Sequence, residues 1–225
     1  MSEKIVLVKI GGSLLAWQNL PKRLRAYLDG LGKAAPVLVV GGGGAADFIR
    51  SLDSVHQIGE NRSHDLALRA LDLTAHVAAS LLSGLVVVTT IEDIQDVRSR
   101  GLISVFAPRI FLDNVDSTSP RPLKKSWDVT TDSIAARLAE HLHAERLVLL
   151  KSVDFRGVAN RVDAARAGLV DRAFPEASAL IDRVEFVNLR ADPPSVVRLS
   201  NGLILEPHYI NLPEPFDGKD PRCTG

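Results

Sequence analysis

A single cysteine, Cys223, leaves nothing for an internal disulfide and no cysteine-built metal site. Long apolar runs are missing as well. The longest, around Leu85 to Val88 and Leu147 to Leu150, are strand-sized and too short to cross a bilayer. The opening Met-Ser-Glu-Lys passes straight into Ile5-Val6-Leu7-Val8, which is too short for a signal-peptide core. A cytoplasmic protein without a membrane partner is the expectation. Net charge is absent too: 27 basic residues balance 27 acidic ones, so no global field draws nucleic acid. No Walker sequence G-x-x-x-x-G-K-S/T occurs, which removes the P-loop kinases. Disorder of the whole chain is excluded by a hydrophobic fraction of 46% against 24% charged.

What is present is an alternation of elements. Residues 4–10 form a β-branched run ending in Gly11-Gly12-Ser13, which reads as a buried strand entering a glycine turn. Helical spacing over 20–31 precedes a second strand at 36–40, four consecutive glycines at 41–44, and helices over 45–56 and 63–82. Strands are expected at 85–89, 102–106, 146–151 and 184–188, with a short helical pattern over 91–98. The polar stretch 113–125, with Pro120 and Pro122, reads as a loop, and Thr130 or Thr131 as the cap of a helix reaching His143. A further helix is expected to begin near Pro193-Pro194, and the tail 213–225 to be irregular.

This order predicts an α/β three-layer sandwich: a mainly parallel central sheet covered by helices on both faces. The chain reads as one domain over 1–225. It divides into a lobe at about 1–125, a second at about 126–212 and the tail.

Four segments have the composition of a phosphate site. Lys9-Ile10-Gly11-Gly12-Ser13 ends the first strand; its glycines open backbone N–H groups to phosphate oxygens and its lysine adds a compact charge. Gly41 to Gly44 place amides beside a helix start, where an anion is favoured. Gly41, Gly43 and Ala46 also fit G-x-G-x-x-A, so a dinucleotide-binding oxidoreductase is a rival. That fingerprint normally follows the first strand of its unit, however. Ser126 to Ser133 put Asp128, Thr131 and Asp132 at a helix start, where ordinary capping is the bland explanation. Leu149-Leu150-Lys151-Ser152-Val153-Asp154 ends a strand in a lysine, at the sheet edge where such folds bind ligands.

Together, and in this order, the four segments resemble the amino acid kinase family, which includes acetylglutamate, UMP and isopentenyl phosphate kinases. The likeness runs from Lys4 to about Val158, more weakly to about Leu205. It implies a transferase that uses ATP and Mg²⁺, the metal held mainly by the ATP phosphates rather than by protein ligands. Its partner would be a small-molecule acceptor and its state a homo-oligomer.

By that resemblance Lys9, Asp132 and Lys151 are catalytic, with Lys9 at the transferring phosphate and Asp132 orienting the lysines. Gly11, Gly12 and Ser13, with Lys9, Lys151, Ser152 and Asp154, border the nucleotide. Gly42, Gly43, Gly44, His64, Asp128 and Thr131 border the acceptor. Residues 1–125 thus become the acceptor-side lobe and 126–212 the nucleotide-side lobe.

Ala45-Ala46-Asp47 stands where isopentenyl phosphate and fosfomycin kinases carry a histidine. Asp128 stands where acetylglutamate kinases usually carry asparagine. Residues 126–135, Ser-Trp-Asp-Val-Thr-Thr-Asp-Ser-Ile-Ala, are most similar to the aminomethylfuran phosphate kinase branch of methanofuran-type cofactor biosynthesis. That likeness implies a phosphate-monoester acceptor converted to a diphosphate. Arg62, His64, Lys124 and Lys125 would supply positive charge to such an acceptor, and Asp128 would face its amine. A kinase of the same fold acting on a carboxylate or on UMP, and a non-catalytic storage or regulatory protein, are the alternatives.

Overall fold

The computed structural model describes residues 4–155 and 157–201; the expected tail at 213–225 and Cys223 lie outside the described residues. Among the described residues, seven strands form one sheet. They are β1 (Ile5–Ile10), β2 (Ala35–Val40), β3 (Leu85–Val88), β4 (Ile103–Phe106), β5 (Arg146–Lys151), β6 (Val184–Asn188) and β7 (Ser195–Leu199). Their order is β3-β4-β2-β1-β5-β6-β7, parallel throughout except for β7, which runs antiparallel at the edge. Central strands buried on both faces need apolar side chains at nearly every position, and IVLVKI, APVLVV and RLVLLK supply them.

Alternation along the strands divides the core in two. Leu7, Val37, Val39, Leu147 and Leu149 face one layer, and Val6, Val8, Leu38, Val148 and Leu150 face the other. The first layer includes α4 (Glu92–Ser99), α5 (Arg109–Asn114) and α6 (Thr131–His141), with α7 (Arg161–Arg166) and α8 (Phe174–Ala177) beyond. The second is built from α1 (Leu20–Asp29) and α3 (Glu60–Leu81), against which α2 (Gly43–His56) packs. Ala135, Ala136 and Ala139 are buried on α6, and such small side chains let a helix axis approach a sheet closely.

One expected element is wrong in kind. The helix expected near Pro193-Pro194 is strand β7, paired as Val197 with Phe186 and Val196 with Val187. Ser-Val-Val-Arg-Leu is β-branched and short, and the prolines end the turn before it rather than open a helix. Helices α5, α7 and α8 were not anticipated, since four to six residues are too few to show a helical period. Helix α3 starts at Glu60 rather than residue 63, and α2 starts at Gly43, inside the glycine run. The expected loop at 113–125 is tethered. Its buried Asp116 accepts from Leu123 N at 2.7 Å and from Arg137 Nε on α6 at 2.9 Å.

Candidate active site

Strand parity brings the two lysines together. Lys9 follows Leu7 by two residues and Lys151 follows Leu149 by two, so both point to the α6 face at the C-terminal edge of adjacent parallel strands. Helix α6 crosses that face with its N-terminus at the same edge. Asp132, its second residue, bridges the lysines. Lys9 Nζ lies 2.9 Å from Oδ1 as an ion pair, and Lys151 Nζ donates to Oδ2 at 2.8 Å. Lys9 is only 5% exposed, so its charge is held inside the fold and not in solvent.

Burial alone would raise the Asp132 carboxyl, but the charges of Lys151 and Lys9 outweigh it and hold the group down at about 2. Burial pushes Lys151 down to about 8; Asp132 opposes the shift and the charge of Lys9 adds to it. With both lysines protonated the cluster is net positive by one. A buried cluster of that charge suits an added anion.

Around this cluster the two glycine segments meet. Gly11 N donates to Leu150 O, and Gly41 N to Ile10 O, both at 2.8 Å, so the β1 and β2 turns are tied to neighbouring strands. A Cβ on Gly12 would fall 2.2 Å from Gly43 N, and one on Gly41 would fall 2.6 Å from Gly12 N. The segments assigned to nucleotide and acceptor are thus one backbone junction, and Gly43 adopts a φ of 49° there. Gly44 is exposed one residue further along α2, with open space around it. Ser13 and Ser152, two of the residues expected to border a nucleotide, approach Oγ to Oγ at 2.9 Å. Asp154, which follows Ser152 by two residues, accepts from Asn188 Nδ2 at 2.7 Å.

A cleft of about 200 Å³ opens from the junction between α2, α3 and the segment before α6. Lys9, Gly42, Gly43, His64 and Thr131 line it, whereas Gly44 and Asp128, also expected at the acceptor, are not in its lining. His64 is not the cation expected there. Its Nδ1 faces Ser126 O at 3.1 Å, so Nδ1 carries the proton and Nε2 is an acceptor, while burial pushes its pKa below the usual value. The other expected cations also lie elsewhere. Arg62 is exposed, Lys125 pairs with Asp65 at 2.8 Å, and Lys124 lines a separate cleft together with Asp128. Asp128 pairs with Arg172 at 3.5 Å.

Two groups of residues escaped the sequence reading. Asp47, Arg50 and the Trp127 ring form the far wall of the cleft. Asp171, which follows α7, caps α6: Thr130 N and Ser133 N donate to its Oδ2 at 2.9 and 3.0 Å, and both hydroxyls donate to the same carboxylate. Thr130, the expected cap, occupies the N-cap position but makes no side-chain bond to the helix. No local sequence signal marks Asp171, because capping patterns join neighbours and this one joins residues 38–41 apart.

Asp171 thus holds the start of the helix that carries Asp132. Asp171→Ala is expected to lower stability by about 1–2 kcal/mol, the usual scale of a lost cap. It should also lower turnover about tenfold, and Asp171→Asn should restore part of the loss. A variant that melts earlier yet turns over at the wild-type rate would leave Asp171 a purely structural cap.

Comparison with known proteins agrees with this geometry. A model of the amino acid kinase family matches residues 4–166. (5-(Aminomethyl)furan-3-yl)methyl phosphate kinase of Methanocaldococcus jannaschii is 28% identical over 149 residues, and the match spans 66% of either chain, just under two thirds. UMP kinase from Bacillus anthracis superimposes with a TM-score of 0.62 at 16% identity, covering 92% of this chain and all of that one. Aspartate kinase from Synechocystis gives 0.58 at 15% identity, covering 89% of this chain and 41% of that one. The relatives it resembles in sequence and in fold are kinases. Among the described residues no helix is long and apolar enough to cross a membrane.

Proposed function

The chain belongs to the amino acid kinase family, and we propose that it transfers the γ-phosphoryl group of ATP to the phosphate of a small monoester of the aminomethylfuran phosphate type, giving a diphosphate. The observation that carries this reading is the buried Lys9–Asp132–Lys151 bridge beside the crossed glycine turns. Phosphoryl transfer asks for charge placement rather than covalent help, and two fixed cations with converging amides supply that.

In this reading an oxygen of the acceptor phosphate forms a bond to the γ-phosphorus as the bond to the β-bridging oxygen breaks, and ADP leaves. The acceptor phosphate is already ionised, so no general base is needed and Asp132 stays a carboxylate between its lysines. Lys9, which lines the cleft, meets the transferring group. Lys151, on the β5 side with Ser13, Ser152 and Asp154, meets the nucleotide phosphates. Mg²⁺ would be carried by the nucleotide phosphates and would offset their charge, since both Asp132 oxygens already face lysines. The acceptor occupies the cleft against α2 and α3, which makes residues 1–125 the acceptor side.

The acceptor class rests on residues 126–135 and on the similarity to the M. jannaschii enzyme. It is tested with ATP and Mg²⁺ against the aminomethylfuran phosphate, UMP, isopentenyl phosphate, acetylglutamate and aspartate. A furan diphosphate formed at a kcat/KM at least about a hundredfold above the rest is the expected result, because unpaired charges in a matched pocket reject analogues strongly. Preference for UMP or a carboxylate would overturn the acceptor and keep the kinase. No turnover with any acceptor would favour a non-catalytic role.

A further inference from the structure

The far wall of the cleft already holds a cation. Arg50 lies with its guanidinium carbon 4.7 Å from the centre of the Trp127 ring, and its Nη1 is 2.9 Å from Asp47 Oδ1. The two halves of this arrangement are held very differently. Trp127 is fixed: its Nε1 donates to Asp53 Oδ2 at 2.9 Å and its backbone N to Glu60 Oε1 at 3.0 Å. Asp53 is itself held by Gly59 N at 3.0 Å. The Arg50–Asp47 pair is loose, since both side chains are at least half exposed and exposed pairs three residues apart on a helix are weak. An indole face is thus preorganised beside an exposed carboxylate, and a loosely held side chain occupies both.

The spacing fits a second use. At 1.5 Å per helical residue, Asp47 sits about 6 Å along α2 from Gly43, at the glycine junction where the reading above puts the phosphates. We propose that the Trp127 face and the Asp47 carboxylate form an ammonium subsite, in which Arg50 stands in for the acceptor's amine until the amine displaces it. Cation–π attraction with a carboxylate beside the ring is a known physical basis for holding such a group. His64, neutral with Nε2 as an acceptor, lines the same cleft and adds no competing charge. This inference rests on the acceptor reading given above and assigns specificity to residues which that reading left unassigned.

The test separates the subsite from the kinase activity. In a Trp17→Phe background Trp127 is the remaining tryptophan, since the chain has two. Its fluorescence is titrated with furfurylamine and, separately, with uncharged furfuryl alcohol. Furfurylamine is expected to give a saturable change and the alcohol none in the same range. Asp47→Asn should weaken furfurylamine at least about tenfold, and Arg50→Gln should tighten it severalfold by removing the internal competitor. In turnover, the preference for an aminomethylfuran phosphate over its analogue lacking the amine should shrink about tenfold in Asp47→Asn. Equal binding of amine and alcohol, or weaker amine binding in Arg50→Gln, would overturn the subsite. Amine binding of the expected pattern without turnover of any furan phosphate would overturn the acceptor reading and leave the cation site standing.

Discussion

Lys9→Met is expected to lower kcat by about 10² or more while leaving the melting temperature unchanged or slightly higher. The rate loss has the scale of removing one preorganised charge from the reacting group. The stability forecast follows from the charge count. Wild type buries two lysines against one carboxylate, and removing Lys9 leaves a balanced Lys151–Asp132 pair joined at 2.8 Å. Methionine fills nearly the same volume in a position only 5% exposed. Thermal unfolding and steady-state rates on the same preparation check both parts. A folded variant with wild-type kcat would remove Lys9 from the mechanism, and a large drop in melting temperature would refute the charge count.

Asp132→Asn is expected to fail in the opposite way, losing both activity and stability. Two lysines would remain buried without a counter-charge, and stranding a buried charge costs about 3–5 kcal/mol. Lys151 partly escapes by shedding its proton, because burial and Lys9 already depress it and Asp132 is what opposes them. In wild type kcat/KM should therefore fall above about pH 8, as Lys151 loses its charge in the free enzyme. In Asp132→Asn that limb should move to lower pH, and in Lys151→Arg it should be absent over the same range.

The sign of the stability effect follows from proton binding. The folded variant holds fewer protons on Lys151 than the unfolded chain does, between the lowered pKa and the ordinary 10.5. Its stability therefore rises with pH across that window. Rate profiles from pH 6 to 10 decide the issue. A wild-type acidic limb, a fall in rate at low pH, that vanished in Asp132→Asn would instead make Asp132 a general base.

The sequence by itself determined the parallel sheet and most of its helices. Apolar runs such as residues 5–10 and 146–151 can be satisfied only by burial on both faces, and glycine turns mark where the strands end. That Lys9, Asp132 and Lys151 belong together came from the resemblance of four ordered segments to a known family, and the carboxylate at a helix start was readable locally. The structure added the parity, two residues from Leu7 and from Leu149, that turns both lysines toward α6. Only the tertiary structure decided the rest, because each remaining feature joins residues far apart in sequence. Asp171 reaches 41 residues back to cap α6, and Trp127 Nε1 reaches 74 residues to Asp53. The Ser126 carbonyl and burial make His64 a neutral donor where an isolated histidine reads as a cation. Residues 195–199 became an edge strand because β6 offered an unpaired ladder, a partner that no local pattern reveals.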